Sequence, residues 1–163
     1  MDTTTAVTGR YTDNGRPLGS TSITPHIVVD GAEAAIEFYR EVFGATIDDV
    51  TFFGDAVAHA ELDFGLGRLT LSDPVESYGL VAPSPNGASF SLALYVPDVD
   101  RVVEAATEAG ATVREPATTF VSGDRFASIL DPFGIRWTIM TRVEDISPEE
   151  SRRRVSDWAA SQS

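Results

Sequence analysis

Residues 23–46, ITPHIVVDGAEAAIEFYREVFGAT, and residues 89–112, SFSLALYVPDVDRVVEAATEAGAT, carry one plan twice. Each copy has an apolar run with alternating side chains, an acidic turn, an amphipathic stretch and a closing Gly-Ala-Thr. Alternation over a few residues marks a half-buried strand, whereas apolar residues three and four apart mark a helix with one buried face. Two copies predict a pseudo-symmetric α+β fold with a cleft between its halves.

In the first copy Ile23, Ile27 and Val29 share one strand face, and Thr24, His26 and Val28 share the other. Pro25 cannot donate to a ladder, so this strand lies at an edge or begins there. Asp30 is the expected N-cap, with Glu33 three residues on, and Gly44 ends the helix. Strands follow at about 47–53, 56–64 and 68–72, with Gly54-Asp55 and Gly65-Leu66-Gly67 as turns. The unit reads βαβββ. Residues 74–88 hold Pro74, Gly79, Pro83, Pro85 and Gly87 and read as a linker.

The second unit repeats this from Phe90 to Val96, with Asp98 capping its helix. Strands near 112–114, 125–130 and 136–141 complete it, the last two joined by the turn Asp131-Pro132-Phe133-Gly134. Helix entry is one residue longer in the first copy, which pairs Thr24 with Ser91, His26 with Ala93 and Val28 with Tyr95. Ser147-Pro148-Glu149-Glu150 then starts a C-terminal helix, with Ser as cap and Pro at its first position. The expected organisation is a flexible arm over 1–22, one domain over 23–142 built of modules 23–73 and 89–142, and a helix with tail over 143–163.

Composition narrows the chemistry. A net charge of −13 sets up a field that repels phosphate backbones and anionic headgroups, so neither nucleic acid nor membrane is an expected partner. All 12 basic residues are Arg and Cys is absent, which excludes a Schiff-base lysine, a thiol nucleophile, disulfides and thiolate metal sites. No apolar run is long enough to span a bilayer, and a cytoplasmic location is the expectation. Only 2 His are present, with no nucleophile elbow and no Gly-rich phosphate loop.

Four further stretches sharpen the fold: residues 34–45 (AAIEFYREVFGA), His59-Ala60-Glu61-Leu62, Ser122-Gly123-Asp124-Arg125 and Asp131-Pro132-Phe133-Gly134. Together with the tail from Glu144 to Arg153, they resemble the PhnB-like branch of the vicinal oxygen chelate superfamily, which includes glyoxalase I, bleomycin-binding resistance proteins and extradiol dioxygenases. The resemblance implies two βαβββ modules curling a mixed sheet into a cup, helices outside, and a homodimer. It also implies a cup that holds either a divalent metal or an organic ligand, and it places the metal ligands of such proteins at Thr24, Thr70, Ser91 and Thr138 here. Alcohols compete poorly with water for Zn²⁺, Fe²⁺ or Mn²⁺. No metal and no other cofactor is therefore expected. The branch commonly has His where this chain has Ile135 and Arg142.

The expected ligand-binding set is His26, Thr24, Thr70, Ser72, Ser91, Tyr95, Arg125, Thr138 and Met140, which suits a small organic molecule. His26 is a candidate acid or base, or a hydrogen-bonded wall residue. His59, Glu61 and Asp63 alternate on one strand face. If that face is the cup, His59 and Glu61 join His26 as a relocated metal set or as catalytic candidates, and if it faces water they are surface. Arg125 is open between a fork for a carboxylate and an ion pair. The leading reading is a metal-free binder that sequesters an antibiotic or toxin. The alternative is an enzyme, a lyase, isomerase or dioxygenase with a relocated metal or a metal-free acid/base catalyst.

Overall fold

A computed structural model describes residues 5–85 and 87–162. Within the segment before Ile23 a small antiparallel hairpin forms from β1 (Thr12–Asp13) and β2 (Arg16–Pro17). The first module contains β3 (His26–Val28), α1 (Ala32–Phe43), β4 (Thr46–Phe53), β5 (Ala56–Asp63) and β6 (Arg68–Ser72). The second contains β7 (Leu92–Tyr95), α2 (Val99–Glu108), β8 (Thr112–Thr119), β9 (Asp124–Leu130) and β10 (Arg136–Arg142). A C-terminal helix, α3 (Pro148–Ser161), follows.

The two four-stranded sheets have equivalent orders, β3-β6-β5-β4 and β7-β10-β9-β8. In each the first strand runs parallel to the last and the remaining pairs are antiparallel. The chain is therefore two βαβββ modules with an added helix, as the duplicated sequence predicts.

Local chemistry explains most boundaries. The ladder of β3 begins at His26, immediately after Pro25, whose carbonyl still accepts from Thr70 at 2.9 Å. The strand is thus shorter than the expected run from Ile23, and Thr24 precedes it. Likewise β7 starts at Leu92, leaving Ser91 outside the ladder. Strand β8 continues to Thr119, past Pro116, because β8 is an edge strand and its pairing with β9 carries register shifts.

Helix α1 corrects an expectation. Asp30 does not cap it: Gly31, which has no side chain to accept a bond, occupies the N-cap with φ 84°. Asp73, beyond β6, instead accepts from Gly31 N at 3.2 Å and Ala32 N at 2.9 Å with one oxygen, and from Val57 N at 2.7 Å with the other. One carboxylate thus satisfies the helix start and ties it to the sheet. The other two caps are local, Asp98 accepting from Arg101 N at 3.1 Å and Ser147 from Glu150 N at 3.1 Å.

A single core joins the modules. Ile27, Leu62 and Leu71 from the first sheet and Ile129, Trp137 and Ile139 from the second belong to one buried cluster with α1 between them. Asp131 fastens this seam. Its buried carboxylate accepts from Tyr39 Oη at 2.7 Å, Trp137 Nε1 at 2.9 Å, and the Phe133 and Ile135 amides at 2.9 Å each. Burial pushes the Asp131 carboxyl up, with those donors opposing, and pushes the Tyr39 phenol well above its ordinary value, the Asp131 charge adding to it.

Candidate functional site

Strand period fixes which side chains face away from that core. In the first sheet Ile27, Val29, Ala60, Leu62, Leu69 and Leu71 are buried on the helix side. His26, Glu61, Thr70 and Ser72 therefore share the opposite face, with His26 beside Thr70, Thr70 beside Glu61 and Val28 beside Ser72 in register. His59 joins them, its ring lying parallel to that of His26 within 3° at a centroid separation of 6.1 Å. Of the two faces open to the His59 strand, it takes the one shared with His26. In the single chain that face is open to water, His59 and Glu61 being 42% and 44% exposed at their side chains.

Hydrogen bonds set the state of His26. Its Nδ1 lies 2.9 Å from Thr70 Oγ1 and its Nε2 3.2 Å from Ser72 Oγ. Thr70 directs its hydroxyl proton to the Pro25 carbonyl at 3.3 Å, so it accepts from His26 Nδ1–H. That assignment leaves the Nε2 lone pair to accept from Ser72, which is 1% exposed. Burial, and next the neighbouring His59 charge, lowers the His26 pKa, so the imidazole is neutral near pH 7.

Glu61 is shared. Its Oε1 is 3.5 Å from His59 Nε2 and its Oε2 is 3.6 Å from Arg68 Nη1. Arg68 also meets Asp48 at 2.6 Å and Asp63 at 3.4 Å, a hub that the sequence reading did not single out. Its only signal was a basic residue opening a strand after acids on the two preceding strands, β4 and β5.

The second sheet presents a contrasting face. Trp137, Ile139, Ala127 and Ile129 are core, so Thr138, Met140, Phe126 and Ser128 lie on the other side with Ala93 and Tyr95. Thr138 and Met140 are half-buried. Tyr95 is 58% exposed, its hydroxyl 3.3 Å from Asp124 Oδ1. Ser128 Oγ is buried without a partner, the one such side-chain atom among the described residues.

Three expected residues stand apart from these faces. Thr24 bonds Thr21 at 2.8 Å, and Ser91 is exposed just before β7. Arg125 lies on the helix side of β9 and grips Asp100 of α2 through Nε at 2.7 Å and Nη2 at 2.6 Å. Of the two readings open for Arg125, the structure has the ion pair.

The metal question turns on donors. The four positions that the resemblance implies for metal ligands, Thr24, Thr70, Ser91 and Thr138, carry neutral alcohols, and two of them, Thr24 and Ser91, precede their strands. The relocated set fares no better geometrically, since the His26 and His59 rings are parallel and the His26 lone pair meets Ser72. Among the described residues no group of three or more His, Cys, Asp or Glu side chains is placed to hold a metal ion. The residues present do not fit a catalytic divalent ion.

No helix among the described residues is long and apolar enough to cross a membrane. A family model described as the Glyoxalase/Bleomycin resistance protein/Dioxygenase superfamily matches residues 21–139. The uncharacterized protein Mb0911c of Mycobacterium bovis is 31% identical over 140 residues, covering 83% of this chain and 92% of that protein. Among solved structures, protein PA1353 from Pseudomonas aeruginosa superposes with a TM-score of 0.64 at 24% identity, covering 76% of this chain and 98% of its own. A putative 3-demethylubiquinone-9 3-methyltransferase, PhnB protein, from Bacillus cereus gives 0.59 at 19%, covering 74% and 99%. With its two modules, its sheet order and a match spanning most of its length, this chain belongs to the glyoxalase, bleomycin resistance protein and dioxygenase superfamily.

Proposed function

We propose that the chain binds a small organic molecule on its open sheet faces without a metal, sequestering an antibiotic or another toxic compound. The observation that carries this reading is the state of His26, whose two ring nitrogens are engaged by Thr70 and Ser72 hydroxyls. An imidazole held this way offers no lone pair to an ion, yet it presents a neutral aromatic edge to a guest. Thr138, Met140 and Tyr95 add a hydroxyl, a thioether and an exposed ring on the second sheet. Such a mixture suits an uncharged or cationic organic guest that can be stacked and hydrogen-bonded.

A homodimer completes the proposal. The open faces and their rims expose Tyr95 and, at the end of β4, Phe53 at 85%, which a second chain covers in this reading.

A second reading has one specific support. The lowered His26 pKa favours the neutral imidazole, the form a general base needs, and in this second reading a ligand takes the place of the Ser72 hydroxyl at Nε2. The binder and the catalyst separate by turnover. Purified protein, incubated with a panel of cationic and neutral antibiotics, is expected to give saturable binding with every bound compound recovered unchanged. Elemental analysis after purification without added metal is expected to find none in stoichiometric amount, and Ni²⁺, Zn²⁺, Mn²⁺ and Fe²⁺ are expected not to raise the melting temperature. A stoichiometric metal lost in His59→Ala overturns the proposal, and conversion of a bound compound that vanishes in His26→Asn replaces it with the catalyst.

A further inference from the structure

A cleft of about 420 Å³ lies at the far end of the second module, between the linker and the sheet. Pro83 and Pro85 of the linker and Leu130 of β9 supply apolar wall, and Arg114 of β8 and Arg136 of β10 supply charge. Leu130 and Arg136 lie on the same side of the second sheet as Ser128 and Thr138, two residues further along, so the cleft sits at the end of that open face. Its volume falls in the range of small-molecule sites.

The two arginines are placed by register. Leu130 pairs with both Thr112 and Arg136, which brings the beginning of β8 and the beginning of β10 to either side of one β9 residue. The register shift after Val113 sets Arg114 at a bulge. The linker approaches closely here because residue 134 is glycine. It sits at φ 88°, and a Cβ there would lie 3.2 Å from Pro83 Cβ.

Charge selects the guest. Arg136 meets Glu115 at 3.0 Å, whereas Arg114 has no hydrogen-bond or ion-pair partner among the described residues. Arg114 is exposed at the cleft, so its guanidinium is open to a ligand. Arg114, Arg136 and Glu115 leave one net positive charge, which balances a monoanion. A dianion meets one uncompensated charge and the repulsion of the whole acidic molecule. Guanidinium forks match planar carboxylates bidentately, and the proline and leucine walls match an apolar body.

We propose that this cleft, at the end of the second sheet's open face and lined by none of His26, Thr70, Ser72, Tyr95, Thr138 or Met140, is a second binding site for a small monocarboxylate with an apolar body, its carboxylate held by Arg114 and Arg136. Benzoate is the probe, followed by amide chemical shifts and calorimetry on the full chain, with benzamide and inorganic phosphate alongside. Benzoate is expected to shift the Ala88 and Gly134 amides with a dissociation constant on the order of 1–10 mM, as a single anchored charge on a small ligand allows. Arg114→Gln is expected to weaken it at least fivefold, Arg114→Lys less, and Ser72→Ala, on the other module, not at all. Benzamide is expected to leave those amides unmoved. Melting curves of the Arg114 variants matching the parent confirm that the exposed substitution spares the fold. Equal benzoate affinity in Arg114→Gln, equal binding of benzamide, or loss of benzoate in Ser72→Ala overturns the site. Tighter binding of phosphate than benzoate overturns the carboxylate assignment.

Discussion

Replacing Asp131 by Asn tests whether one carboxylate holds the two modules together. The carboxylate accepts four hydrogen bonds, two on each oxygen. Asn keeps one acceptor oxygen and turns the other into a donor. With its oxygen toward the Phe133 and Ile135 amides, its NH₂ faces Tyr39 Oη and Trp137 Nε1. The phenol can rotate and accept, but an indole N–H only donates, so Trp137 Nε1 becomes a buried donor without a partner. That loss costs about 1–3 kcal/mol. Removing a charge that burial disfavours returns part of it, which sets the net cost at about 2 kcal/mol. A domain of this size then melts roughly 4–8 °C lower. Because Tyr39 and Trp137 belong to different modules, Tyr39→Phe and Asp131→Asn must also be non-additive in a double-mutant cycle. Urea unfolding followed by Trp fluorescence and circular dichroism supplies both numbers. A cost below about 0.5 kcal/mol, or strict additivity with Tyr39→Phe, refutes the assignment of Asp131 as the inter-module fastener.

Asp73→Ala is expected to lose about 2 kcal/mol in urea unfolding, through the α1 cap and the Val57 amide together, while Asp30→Ala changes stability by less than about 0.5 kcal/mol. The His26 pKa is depressed in the folded chain, so its contribution to stability is present above the unfolded value and is lost as pH falls through the folded one. The melting temperature of the parent should therefore decline relative to His26→Asn below about pH 6.5, and a proton NMR titration should show His26 moving toward its ordinary value in His59→Gln. Glu150, between Arg153 and Arg154, is held down to about 2, so its contribution is present above the usual carboxylate range and is lost as pH falls toward 2. In Glu150→Gln the acid loss of α3 helicity over that window should disappear, as circular dichroism would report. Gly134→Ala meets both a left-handed φ and Pro83, and is expected to cost about 1–2 kcal/mol in the same unfolding assay.

Readings built on local contacts transferred to the structure. Asp98 and Ser147 cap their helices as read, because a cap bonds amides two or three positions away. Trp137 is core, as its parity against Thr138 requires. Readings that depended on a distant partner did not. The α1 cap comes from Asp73, which is 41 residues beyond the amide of Ala32. Strand β8 outlasts Pro116 because of its edge position, which is a property of the sheet order. Arg125 had two open readings that sequence spacing could not separate, since Asp100 is 25 residues away.

The candidate site divides in the same way. Period-2 alternation put His59 with Glu61, and His26 with Thr24 and Val28, but alternation is symmetric between the two faces of a strand. The side that met the core was decided by packing α1 against one face of the sheet, and this brought His26, His59 and Glu61 together. Sequence alone was enough for the α+β duplication and the strand and helix order of the two modules, because these rest on periodicity and residue identity. Tertiary structure decided the hydrogen-bond partners of His26, the Asp131 fastener and the Arg114–Arg136 cleft, because each joins groups that approach one another only when the sheets have formed.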